Sequence, residues 1–158
     1  MKTLVAYLQL CRFAALFTAL ADIVLGLALS HAHLDWRREF AWLLAASAGL
    51  YLSGMVFNDL FDREVDALER PRRPIPSGRA TVKMAALFGA CLMLCGVACG
   101  MAAGMQSLLV ALALVACILG YDALLKATWV GPVVMGACRF LNVMLGASLA
   151  PAPGASEP

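Results

Sequence analysis

The chain has 158 residues, 63% of them hydrophobic and 14% charged, with a mean hydropathy of +0.84. Soluble domains run about 45–50% apolar and about 25% charged, so a water-soluble globule is excluded, and so is a disordered chain. Twelve Lys/Arg against ten Asp/Glu leave a formal charge of +2, far from the basic excess of a nucleic-acid binder.

Length allows a single domain, and the composition makes it an all-α, multi-pass membrane protein. About 20 apolar residues cross the hydrocarbon core. Five stretches fit: 5–30, 39–60, 80–103, 106–125 and 129–150. The first follows Lys2 and contains Ala19-Leu20-Ala21, a small-residue pattern seen at signal-peptide cleavage sites. Arg12 interrupts its apolar region, however, and the run continues past Asp22 to Leu29, so it reads as a retained span. Residues 1–150 are expected to form one transmembrane domain and 151–158 a flexible tail.

The connections differ in character. His31 to Arg38 is a short polar loop, in which His31 and His33 read as plain loop residues. Residues 67–79 are Pro-rich and basic, so the chain must leave helix there. Gly104 and Met105 make a tight turn, and Lys126 to Thr128 another. Five spans then put Lys2, Arg63, Arg70, Arg72, Arg73, Arg79, Lys83 and Lys126 on one side, against Arg37 and Arg38 on the other. By the positive-inside rule the richer side, with the amino terminus, is cytoplasmic, and in a bacterium the membrane is the inner one.

Gly96, Gly100 and Gly104, spaced by four, predict a close helix–helix contact. All six cysteines lie inside apolar runs, without a CxxC pair, and read as small packing residues.

The informative segment is Asn58-Asp59-Leu60-Phe61-Asp62-Arg63-Glu64-Val65-Asp66, at the end of the second span. At about 100° per residue, with Asn58 as zero, Asp62 falls near ~40°, Asp66 near ~80° and Asp59 near ~100°. Three acids on one narrow face at a membrane border need a positive partner. A divalent ion is one candidate: oxygen donors without His or Cys suit Mg²⁺, which is commonly completed by substrate phosphate. Salt bridges to Arg63 and Arg70 are the other, and spacing alone weighs the two evenly. Arg70, Arg72, Arg73 and Arg79 follow within 13 residues of Asp66. Arginine forks match phosphate oxygens, although each arginine taken singly is also explained by topology and lipid headgroups.

Arg139 and Asn142, three apart in the fifth span, share a helix face. An arginine so deep in an apolar run should face the bundle interior, either toward substrate or toward Asp122 or Asp22. Aromatics such as Phe57, Phe61, Tyr121 and Phe140 are candidates for lining a tunnel or for ordinary helix packing.

Asn58-Asp59-x-x-Asp62-x-x-x-Asp66, followed by Glu69-Arg70 and Arg73-Pro74-Ile75-Pro76-Ser77-Gly78, resembles the first aspartate-rich motif of the UbiA family of intramembrane prenyltransferases. Softer matches are Arg12, Tyr121 with Lys126, and Arg139 with Asn142; the Tyr-Asp-Ala-x-Leu-Lys and Arg-x-x-Asn patterns are most similar to the EboC-like branch.

The resemblance implies transfer of an isoprenyl group from a prenyl diphosphate to an acceptor, in a nine-helix bundle with a cavity open to the cytoplasm and to lipid. It implies Mg²⁺ as cofactor, held by Asn58, Asp59, Asp62 and Asp66, with Asp62 and Asp66 the catalytic carboxylates. Arg12, Arg70, Arg73, Tyr121, Lys126, Arg139 and Asn142 are the implied substrate contacts.

Three departures stand out. The gap from Tyr121 to Lys126 is one residue longer than the family's commonest form, and Ala15 replaces an Asn. No Asp follows Asp122, although the family carries a second aspartate motif beyond its fifth span. The chain therefore resembles the amino-terminal half of a family member. It is expected to be inactive alone and to need a second polypeptide or a carboxy-terminal half. A non-catalytic membrane partner and a small cation-binding transporter are the competing readings. Transporters place charges near midplane, whereas these acids lie at the border.

Overall fold

The computed structural model describes residues 6–8, 10, 13–30 and 38–149. Lys2, Arg12, His31, His33, Arg37, Cys11 and the 151–158 tail lie outside the described residues. In chain order the elements are α1 (Phe13–Ser30), α2 (Arg38–Phe61), α3 (Arg63–Glu69), α4 (Val82–Ala103), α5 (Met105–Gly120), a π-helical turn (Tyr121–Leu125) and α6 (Gly131–Ala147).

Three helical segments are long and apolar enough to cross a membrane: Arg38–Phe61, Val82–Ala103 and Met105–Leu125. Ala15–Ser30 and Gly131–Ala147 are shorter apolar helices. These five segments fall where the five apolar stretches were expected.

Local chemistry sets the boundaries. Thr81 caps α4, its hydroxyl accepting from the Met84 amide at 3.3 Å. Pro132 sits in the first turn of α6, where its missing N–H leaves no hydrogen bond unmade. Gly104, at φ 148°, is the whole connection between α4 and α5, a conformation side-chain-bearing residues rarely adopt. It therefore serves as a turn, and a Cβ there would meet nothing within 4 Å, unlike at a close helix–helix contact. At Asp62 the helix is only interrupted. Asp62 N–H still donates to Asn58 at 3.0 Å and Asp66 N–H to Asp62 at 2.8 Å, so α3 continues the course of α2.

The helices α2 and α4 share the most extensive packing, followed by α1 with α6. A Cβ on Gly96 would stand 2.9 Å from the Leu50 side chain and 3.0 Å from its backbone nitrogen, so the expected close contact is with α2. A tighter crossing went unforeseen: a Cβ on Gly146 would lie 2.3 Å from the Ile23 carbonyl oxygen, and one on Gly26 2.0 Å from that of Val143. Only hydrogen at both positions lets α1 and α6 touch backbone to backbone.

Ile23, Leu27, Leu43, Leu50, Leu114 and Leu145 form the core between these helices. Leu10, Val56, Ile75, Ala80 and Ala85 form a second cluster that folds the 70–80 segment back onto α2 and α4. Cys117 and Cys138 pack against each other with sulfurs 3.4 Å apart, whereas Cys91 and Cys95 are exposed on the surface of α4.

Candidate active site

The acid face at the end of α2 is divided between two sets of partners. Asp59 and Asp66 share one arginine: the Arg73 Nη1 lies 3.0 Å from Asp59 Oδ1 and 2.6 Å from Asp66 Oδ2. Their carboxyl groups are buried, 6% and 3% exposed, and the Arg73 side chain is 23% exposed. Arg70 stands farther off, 3.9 Å from Asp66 Oδ1, and is largely exposed. Arg63 pairs with its neighbour Glu64 at 3.1 Å. The salt-bridge alternative therefore describes Asp59 and Asp66, with Arg73 as the main partner instead of Arg63.

Asn58 and Asp62 have different company. Asn58 Nδ2 donates to Asp122 Oδ1 at 3.1 Å, and Asp62 forms an ion pair with Lys126. The π-helical turn brings these groups together. Its defining bond, Lys126 N–H to the Tyr121 carbonyl at 3.0 Å, spans five residues where an α-helix spans four. The additional residue between Tyr121 and Lys126 is thus taken up in a wider turn, and Lys126 still reaches the acid face. Asp122, considered at sequence level only as a partner for Arg139, belongs to this group. A buried acid directly after the tyrosine was the available signal.

Below lies a cavity of about 350 Å³, lined mostly by apolar side chains. Asn58, Tyr121 and Asp122 mark one part of its wall; Leu50, Gly54 and Ile118 belong to the apolar remainder. Of the aromatic candidates only Tyr121 lines it, joined by Tyr51. Phe57 and Phe61 pack on each other with ring centroids 6.4 Å apart, and Phe140 is 64% exposed on the outer surface.

A second polar centre closes the cavity where α1 meets α6. Arg139 donates to Thr18 Oγ1 and to Asp22 Oδ1, both at 3.1 Å. Asn142 Nδ2 donates to the Ala19 carbonyl at 2.8 Å and to Asp22 Oδ2 at 3.2 Å, while Ser47 donates to Asn142 Oδ1 at 2.8 Å. Of the two acids weighed as partners for Arg139, Asp22 is the one it meets. Ser47 and Thr18 had no sequence signal at all. Ser47 is eleven residues before Asn58 on α2, so the two polar centres stand about 16 Å apart along that helix at 1.5 Å per residue.

Among the described residues no group of three His, Cys, Asp or Glu gathers at metal-binding distance. The donor chemistry at Asn58 and Asp62 nevertheless fits Mg²⁺. A carboxylate that already faces a cation, with an amide one turn before it, is what such an ion takes from protein when phosphate and water fill its remaining positions. Asp59 and Asp66, expected beside them as ligands, pair with Arg73 in this structure.

The sequence profile of the UbiA prenyltransferase family matches residues 15–155. The chain belongs to that family. Family members are integral membrane proteins, in keeping with the apolar helices described above. A digeranylgeranylglyceryl phosphate synthase of Methanopyrus kandleri is 35% identical over 152 residues, covering 93% of this chain and 55% of its own. The synthase of the same name from Saccharolobus solfataricus is 28% identical, covering 91% and 51%. A solved structure from work on digeranylgeranylglyceryl phosphate synthase in membranes superposes with a TM-score of 0.86 at 25% identity, over 92% of this chain and 53% of that one. A UbiA homologue from Archaeoglobus fulgidus, bound to DMAPP and Mg²⁺, has the same fold, with a TM-score of 0.80 at 20% identity over 94% and 56% of the two chains. The chain spans about half the length of the curated UbiA relatives it matches.

Proposed function

We propose that this chain carries the first diphosphate-binding face of a Mg²⁺-dependent intramembrane prenyltransferase, with Asn58 and Asp62 toward the metal and Lys126 and Tyr121 toward phosphate. The observation that supports it is the convergence of Asn58, Asp62, Asp122 and Lys126 beside a largely apolar cavity. A prenyl diphosphate has the complementary form, a charged head on an oily chain. Its acceptor is a second, unassigned molecule.

Transfer breaks the allylic C–O bond; the electron pair leaves with diphosphate and the carbon becomes cation-like. The bound metal supplies Lewis-acid neutralisation of that leaving charge. Lys126 and Tyr121 add a cation and a hydroxyl donor at the same mouth. The apolar walls around Leu50, Gly54 and Ile118 would hold the isoprenyl chain and exclude water from the developing cation. In this reading Asp59 and Asp66 act by fixing Arg73 and the basic loop. Arg70, exposed and only loosely paired with Asp66, would turn toward phosphate, and Arg139 with Asn142 belongs to the far wall.

Among the described residues Asp62 and Asp122 are the carboxylates that converge here, so a further aspartate-rich segment is proposed to complete the metal complement, and these 158 residues alone would bind without turnover. The 67–79 loop is proposed to face the cytoplasm. The test is equilibrium binding of a radiolabelled prenyl diphosphate to the purified chain, with and without Mg²⁺. Asp62→Ala should abolish the Mg²⁺-dependent part. Unchanged binding in that variant would remove the metal site from the reading.

A further inference from the structure

Lys126 is held in an unusual way. Its ammonium nitrogen is shut off from solvent and abuts the Asp62 carboxylate as an ion pair. An ammonium carries three donors, so a single carboxylate does not use its whole capacity. The backbone goes out of its way to put it there. Five residues of ordinary α-helix would advance about 500°, leaving Lys126 roughly 140° away from the side of Tyr121. The wider π-turn brings it back toward that side, where Asp62 waits. The π-turn ends the helix, with Lys126 as its C-cap.

Resting on the assignment of Asn58 and Asp62 to the metal, we propose that Lys126 is the resident counter-cation of this site and makes metal and diphosphate binding depend on each other. Among the described residues the cation paired with Asp62 before loading is the lysine. A divalent ion arriving alone must come within a few ångströms of the ammonium, and the two repel. A diphosphate arriving with the ion brings oxygens that meet the ammonium's open donors, so Lys126 exchanges Asp62 for phosphate and the carboxylate is released to the metal. Each ligand thereby raises the affinity of the other, and by linkage the factor is the same in both directions. The device keeps free divalent ions from occupying the site unproductively.

The experiment is Mn²⁺ binding to the purified chain, followed by electron paramagnetic resonance, with and without inorganic diphosphate. The wild type should bind Mn²⁺ weakly alone and more tightly with diphosphate. Lys126→Met should tighten binding of Mn²⁺ alone by roughly tenfold or more, as expected for removing a like charge a few ångströms away. The same change should weaken diphosphate binding, so that the mutual enhancement collapses. Lys126→Arg, which keeps the charge, should behave like wild type and provides a second folded comparison. If Asp62→Asn abolishes Mn²⁺ binding while Lys126→Met leaves Mn²⁺ affinity unchanged, the exchange is wrong and the metal site stands. If Asp62→Asn has no effect in any background, the metal assignment fails and the exchange fails with it.

Discussion

Replacing Arg73 with methionine separates two roles that its chemistry would equally allow. In the structure one nitrogen of its guanidinium serves two buried carboxylates, Asp59 at 3.0 Å and Asp66 at 2.6 Å. Each unit-charge pair at such range is worth about 5–6 kcal/mol gross at an effective dielectric of 20. Much of that offsets the cost of holding the ions out of water, so the net value of the intact cluster is small. Breaking it is another matter. Arg73→Met removes the shared partner of two acids that are only 6% and 3% exposed, and losing one partner of a buried pair costs about 3–5 kcal/mol. Unfolding in mixed micelles should show a loss of that size. Adding Asp66→Asn should recover part of it, giving a coupling energy of about 1–3 kcal/mol between the sites. Destabilisation below about 1 kcal/mol, the range of an exposed ion pair, together with a large loss of diphosphate affinity, would show that Arg73 grips phosphate and that its contacts with Asp59 and Asp66 are incidental.

Three other outcomes are expected. Gly146→Val would drive a side chain into the Ile23 carbonyl, already 2.3 Å from an ideal Cβ; overpacking of about 1–3 kcal/mol or more should appear in the same unfolding assay and spare Gly136→Val, which has open space. Asp22→Asn should destabilise by about 1–3 kcal/mol, because a charge-assisted hydrogen bond is lost, and Arg139→Gln in the same chain should return part of that stability. Ser77→Cys, exposed on the basic loop, should react with a membrane-impermeant maleimide in inverted vesicles after the exposed native cysteines are removed; labelling from outside intact cells would reverse the orientation.

The spans were legible because the membrane demands long apolar runs, and Gly104 and Pro132 punctuate them by local backbone chemistry. The acid motif was legible as a pattern of one helix face. Its division was not. Helical angles place Asp59, Asp62 and Asp66 together, but which of them meets Arg73 and which meets Lys126 depends on how the 70–80 loop folds over Ile75 and Ala80 and on a π-turn 59 residues after Asp62. The longer gap between Tyr121 and Lys126 was visible in the sequence, while its absorption by a wider turn was a matter of backbone hydrogen bonding. The α1–α6 crossing escaped because Gly26 and Gly146 stand far apart in the chain and neither belongs to a repeat.

The polar seam between α1 and α6 also has a consequence for synthesis. Asp22 and its partner Arg139 are separated by 117 residues. At 5–20 residues per second, the ribosome adds the arginine roughly 6–23 s after the aspartate. Through that interval the first helix carries an acid into the bilayer with nothing from the sixth to meet it, at a cost of up to about 2.5–3.5 kcal/mol by insertion scales. The place of α1 in the bundle is thus settled only by the arrival of α6.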